Sequence, residues 1–355
     1  MDGVLHAAGL AHAAAGTLSR GGQRASGAGR ADGGAFGLVG GCTTGGGPQF
    51  DAPVAPGGYE WWYVDALSDD EKHGLSIISF IGSVFSPYYR FARRKAGADP
   101  QNHIAINVAL YGAGGHRWTM TERGRGALNR TANRFEVGPS SLTWDGTGLT
   151  FDIDEVTVPI PSRLKGRVRV IPAGINRQAF ALDGKGEHLW RPIAPVSRVE
   201  VEFDNGLKWA GNGYLDWNSG VVPLEESFRR WDWSRVSDAH GATIFYDVTL
   251  KDGVDEGLSL SIRPDGSIEE LAPPDLCKLP SSPIWRVQRG TRSDAADGRV
   301  VKTLEDTPFY ARSIVTSRVG GRRVTAMHES VSLNRFASPV VQFMLPFRMP
   351  RRSGW

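Results

Sequence analysis

Two short pairs in this chain have residue types and spacing that could do chemistry together. His188 and Trp190 stand two apart in Gly-Glu-His-Leu-Trp-Arg-Pro, and Tyr214 and Asp216 stand two apart in Gly-Tyr-Leu-Asp-Trp-Asn-Ser-Gly. On extended backbone, residues i and i+2 share a face, so each pair should point one way if both segments are strands. An imidazole, an indole, a phenol and a carboxyl around one cavity make an acid–base set with an aromatic wall. A carboxyl buried there holds its proton to higher pH, because loss of water penalises the charged form. The same residues also admit structural readings. His188 can be a hydrogen-bonding core residue, Asp216 can close an Asx-type turn before Asn-Ser-Gly, and Tyr214 and Trp190 can fill a core. On the residues alone, these structural readings stand ahead.

The elements that must position the pairs read as strands. Arg198-Val-Glu-Val-Glu-Phe-Asp204 alternates at period two, with Val199, Val201 and Phe203 on a buried face. Further runs of β-branched and aromatic residues between Gly, Pro, Asn and Asp predict strands at 60–64, 74–81, 103–111, 117–122, 149–158, 166–171 and 207–215. A second set follows at 242–250, 258–262, 284–289, 300–305, 309–317 and 323–330. Between the sets, residues 223–231 read as a short helical connector, with Pro early, acids leading and arginines trailing. The expected architecture is all-β: two antiparallel barrels or curved sheets, over residues 53–220 and 221–355. Residues 1–52, rich in Gly and Ala, read as a disordered extension.

Composition narrows the function classes. A 355-residue chain with 40% hydrophobic and 22% charged residues is an ordinary globular protein, and its length favours two domains. A net charge of +3 provides no dense basic stripe for nucleic acid. Cys42 and Cys277 make no disulfide framework and lack zinc spacing, so a reducing compartment is the simpler expectation. Leu38-Val-Gly-Gly-Cys42 faintly suggests a lipoprotein cleavage site, but a flexible extension or a misassigned start is the stronger reading. No apolar run approaches the roughly 20 residues that span a bilayer. A nucleophile elbow, a P-loop, a dinucleotide fingerprint and a zincin motif are absent, leaving a metal or nucleotide cofactor without support.

Longer motifs carry a resemblance. Pro56-Gly-Gly-Tyr-Glu-Trp-Trp-Tyr-Val-Asp65, Phe80-Ile-Gly-Ser-Val-Phe-Ser-Pro-Tyr-Tyr89, Asn102-His-Ile-Ala-Ile-Asn-Val-Ala-Leu-Tyr111, Pro161-Ser-Arg-Leu-Lys-Gly-Arg167 and Trp231-Asp-Trp-Ser-Arg235 occur in order, with Gly213-Tyr-Leu-Asp216 between the last two. Together they resemble the carotenoid 1,2-hydratase (hydroxyneurosporene synthase) family, from about residue 55 to the C-terminal region. The resemblance implies a lipocalin-like two-domain β fold and cofactor-independent addition of water to the terminal C1=C2 bond of an acyclic carotenoid such as neurosporene or lycopene. It also implies catalytic roles for His188, Trp190, Tyr214 and Asp216, with no cofactor and no metal.

Such a reaction begins by protonating C2, which leaves a tertiary cation at C1 for water to attack. Asp216 is the expected acid. The face of Trp190 would stabilise the cation, by about 2 kcal/mol or more without water. His188 and Tyr214 would orient Asp216 or deprotonate the water. Tyr246, Asp247 and His240 form a second candidate cluster. The water-insoluble substrate places the enzyme in the cytoplasm, peripherally on the photosynthetic inner membrane, with Phe91-Ala-Arg-Arg-Lys95 and the tail from Phe347 as candidate anchors. The competing functions are a non-catalytic carotenoid or lipid carrier and another cofactor-free isomerase or cyclase on the same scaffold.

Overall fold

In the computed structural model, residues 37–39, 46–112, 116–238 and 240–352 are described. The strand Tyr59–Ser68 shows how the fold is organised. Almost every residue along it is buried, which marks a strand covered on both faces. Tyr59, Trp61 and Tyr63 enter one core and Trp62, Val64 and Ala66 the other. One face therefore meets a second sheet, and the other lies inside the curl of the first.

The first sheet has 15 strands. Its central order is Ile104–Gly112, His73–Ile81, Tyr59–Ser68, Lys208–Gly220, His188–Phe203, Arg163–Pro172 and Leu149–Val156, all antiparallel. It curves without closing into a barrel, and its inner face packs Trp62, Ile77 and Ile106 with Phe135, Phe151 and Val201. The seven-stranded second sheet runs Ile268–Glu270, Asp255–Ile262, Gly241–Leu250, Phe228–Asp238, Arg322–Ser332, Tyr310–Val319 and Arg299–Asp306. Trp231, Trp233, Ile244, Tyr246, Met327 and Val331 turn from it towards the first sheet. The chain later returns: Arg351–Arg352 lies parallel beside Glu122–Arg123. There Arg351 meets the Glu122 carboxylate, while His103 bonds the same oxygen at 2.8 Å.

Several expectations change. The 223–231 connector is helical only over Leu224–Ser227, and Phe228 already starts a strand. Trp231, Trp233 and Arg235 must face the first sheet while Asp232 faces away, and that period of two overrides the helical charge pattern. Residues 284–288 form no strand. The Asp306 carboxylate accepts the backbone N–H of Ile284 at 2.6 Å, holding the loop, and pairing begins at Arg289–Arg292. Strands Leu128–Thr131, Arg134–Val137 and Ser140–Trp144 lie where none was expected. In the region assigned to the extension, Phe50 is fully buried against Trp62, with ring centroids 4.8 Å apart. Cys42 and the tail beyond Arg352 lie outside the described residues.

Candidate active site

The strands His188–Phe203 and Lys208–Gly220 pair so that Trp190 is opposite Asn218, and Lys208–Gly220 pairs on its other side so that Asp216 is opposite Tyr63. Tyr214, Asp216 and Asn218 thus share the face towards the second sheet, as their spacing requires. On that face three donors converge on one carboxyl. Trp190 Nε1 and Tyr214 Oη donate to Asp216 Oδ2 at 2.9 and 2.8 Å, and Asn218 Nδ2 donates to Oδ1 at 3.0 Å. Burial pushes the Asp216 pKa up to about 7, against the pull of Trp190 and Tyr214, and the nearby Glu329 and Asp65 carboxylates raise it further.

Three of the four expected residues are therefore bonded together. His188 is not part of that contact. Its Nδ1 meets Tyr59 Oη at 2.8 Å and its Nε2 meets Ser227 Oγ at 2.8 Å, so both ring nitrogens are occupied. Burial pushes its pKa down to about 4, with the Asp183 carboxylate opposing. His188 pairs with Gly220, at the end of its strand beside the short helix, whereas Trp190 is two residues nearer the carboxyl. Trp190 is fully buried, with Phe180 and Tyr246 centroids at 5.7 and 5.3 Å. Its ring does not line the cavity beside Asp216.

That cavity holds about 280 Å³ between the two sheets. Asp216, Asn218, Glu305 and Glu329 are polar on its walls, and Trp61, Trp233 and Tyr246 are among the aromatic ones. Trp285 and Arg348 both line it and are exposed, which places its opening there. Trp61 and Trp233 sit in motifs quoted for the resemblance, but nothing local in the sequence shows them reaching Asp216. The second candidate cluster does not form. Tyr246 faces the cavity, its strand neighbour Asp247 faces away to Arg292 Nε at 2.9 Å, and His240 is an exposed turn residue.

Behind the cavity a buried charge network joins the sheets. Arg235 Nη2 donates to Asp65 Oδ2 at 2.7 Å, and Arg312 bridges Asp65 and Glu329. Glu329 Oε1 also accepts Tyr63 Oη at 2.7 Å and Tyr310 Oη at 3.0 Å. With Arg312 fully buried, each charge in the network has a partner, as burial of charge demands. Chemically, the site combines a carboxyl that holds its proton near neutrality, aromatic faces, and further carboxylates across the gap.

Comparison with known proteins gives a consistent result. The model of the family described as carotenoid hydratase CrtC matches residues 77–355. An acyclic carotenoid 1,2-hydratase of Thiocapsa roseopersicina is 56% identical over 100% of this chain and 88% of its own length. One from Rubrivivax gelatinosus is 52% identical over 87% of this chain and 77% of its own. The crystal structure of a protein assigned as AttH from Nitrosomonas europaea superposes with a TM-score of 0.51 at 14% identity, over 80% of this chain and 98% of that one, a likeness of fold alone.

Proposed function

The chain belongs to the carotenoid hydratase CrtC family, and from that premise we propose that it adds water across the terminal C1=C2 bond of an acyclic carotenoid, without a cofactor, using Asp216 as the acid. The observation that carries the acid role is the set of three donors on a buried carboxyl whose pKa lies at about 7. A carboxylate has about four acceptor positions. Two donors occupy Oδ2 and one occupies Oδ1, so the remaining position, on Oδ1, carries the proton. When that proton moves to C2, the donors are already set to receive the carboxylate charge, which is electrostatic preorganisation.

The tertiary cation left at C1 meets the aromatic faces of the cavity. Trp61, Trp233 and Tyr246 each offer about 2 kcal/mol or more of cation–π attraction once water is excluded. We assign His188 a positioning role: its two hydrogen bonds tie the strands of Tyr59 and His188 to the helix Leu224–Ser227.

At about 280 Å³ the cavity lies below the usual range for a whole drug-sized ligand. It therefore suits one end of a polyene, with the remainder passing out beside Trp285 and Arg348. Val340, Phe343 and Phe347, near that opening in sequence, are 71%, 75% and 70% exposed. Together with Arg348 and Arg352 they suit the surface of a membrane that holds the substrate. No helix among the described residues is long and apolar enough to cross a membrane. We also read the chain as two β domains meeting near residue 220, because the Lys208–Gly220 strand belongs to the first sheet and Phe228–Asp238 to the second.

The test is incubation of the purified protein with lycopene or neurosporene in liposomes, without cofactor, alongside Asp216→Asn. A 1-hydroxy product from the wild type alone is the expected result. Bound but unchanged pigment with both proteins would replace the enzyme by a carrier.

A further inference from the structure

Protonation by Asp216 is half of a hydration. The water that attacks C1 must lose a proton, and in a cavity between two sheets that proton needs an acceptor other than bulk water. With three of its four acceptor positions filled, Asp216 could take that proton only at the Oδ1 position it has just vacated beside C2, on the same face as the proton it gave.

We propose that Glu329 is a second catalytic residue, the base that receives the proton of the attacking water from the side of the cavity opposite Asp216. Glu329 lines the cavity from the Arg322–Ser332 strand of the second sheet. Its Oε1 is fixed by Tyr63, Tyr310 and Arg312, while Oε2 has no protein partner among the described residues. One oxygen is held and the other is free, as a base requires. One side chain links the two carboxyls' strands, because Tyr63, which donates to Glu329, is the cross-strand neighbour of Asp216. Glu329 is also among the charges that raise the Asp216 pKa. Glu305, the other glutamate on the wall, is not among them, and burial raises its own pKa, so it holds its proton to higher pH and is less available to take one.

The steps balance. The π electrons of C1=C2 take the proton from Asp216 Oδ1 and form the C2–H bond, leaving a cation at C1 and a carboxylate at Asp216. A water oxygen forms the C1–O bond, and its proton passes to Glu329 Oε2. Proton return from Glu329 to Asp216 through a water molecule restores both groups, and the net change is addition of one water. A negative charge facing C1 also steadies the cation while it lasts.

This inference rests on the hydratase reading, and the experiment separates their failures. Wild type, Glu329→Gln, Glu329→Asp and Asp216→Asn are incubated with lycopene in D2O, and both the product and the recovered substrate are analysed by mass. The wild type should yield a hydroxylated product with deuterium at C2. In Glu329→Gln, product should fall by on the order of 10²–10⁴-fold, while recovered lycopene gains deuterium, because the cation still forms and reverts. Asp216→Asn should show neither. Glu329→Asp keeps a charge for Arg312 but draws the carboxylate back, so it should stay folded and lose product while exchange persists. Product at the wild-type level in either Glu329 variant, or joint loss of product and exchange in folded Glu329→Asp, would overturn the role of Glu329. A wild type that neither hydrates nor exchanges would instead overturn the hydratase reading.

Discussion

Tyr214 and Asp216 are two residues apart on one face of a strand, and the tyrosine hydroxyl donates to the carboxyl at 2.8 Å. That bond favours the charged form of Asp216 and so works against burial, the largest influence on its pKa. Tyr214→Phe should therefore raise the pKa above about 7. Because the acid must be protonated, activity declines as pH rises through this value, and the variant should carry its alkaline limb to higher pH on a lower plateau. A pH–rate profile of both proteins checks this; an unshifted limb would assign the limb to another group.

Asp216→Asn should be inactive and yet no less stable at pH 8. The folded-state pKa is raised from 3.8 to about 7, so the folded protein binds more protons than the unfolded chain between those values. The contribution of Asp216 to stability is therefore present below about pH 4 and is lost as pH rises to about 7, at a cost on the order of a few kcal/mol. An asparagine carries no charge to bury. Its carbonyl can accept Trp190 and Tyr214, and a turned Asn218 amide can accept from its nitrogen. Urea unfolding at pH 5 and pH 8 should show the variant gaining on the wild type at the higher pH.

His188 should remain neutral from pH 5 to 8, since its pKa is pushed down to about 4. Acidification through the window from 6.5 to about 4 should remove stability, because the unfolded imidazole takes up a proton before the folded one does. An NMR titration that shows His188 ionising near pH 6.5 would contradict its burial between Tyr59 and Ser227. His188→Phe should cost roughly 1–3 kcal/mol by leaving both hydroxyls without the imidazole.

Phe343→Ser with Phe347→Ser should weaken flotation with anionic liposomes while leaving turnover of detergent-dispersed substrate within about twofold, since both rings are largely exposed. Equal flotation of variant and wild type would remove this face as the membrane contact.

The pair Tyr214 and Asp216 was legible because a period of two is a local property of strands, and so was the burial of Val199, Val201 and Phe203. His188 shows the limit of that reasoning. It is two residues from Trp190, but a shared face does not fix where each side chain ends, and its partners Tyr59 and Ser227 are distant in sequence. Glu329 was invisible for a similar reason: nothing beside it marks it, and only the packing of one sheet on the other brings it to Tyr63. The helical reading of 223–231 held over Leu224–Ser227 and stopped at Phe228, where local charge order met a demand from tertiary packing. Phe228 and Trp231 are worth more buried in the core between the sheets than exposed on an isolated turn.

The return of Arg351–Arg352 to the first sheet bears on the order in which the site comes into being. Met344, Leu345, Arg348 and Met349 form part of the cavity wall, and the parallel pairing with Glu122–Arg123 holds that segment down. During synthesis, Asp216 and its three donors leave the ribosome more than a hundred residues before this wall does. A nascent chain can thus bring Asp216 and its donors together early and still be open to water on that side, so the wall of the cavity is completed only as residues 344–352 pack against it.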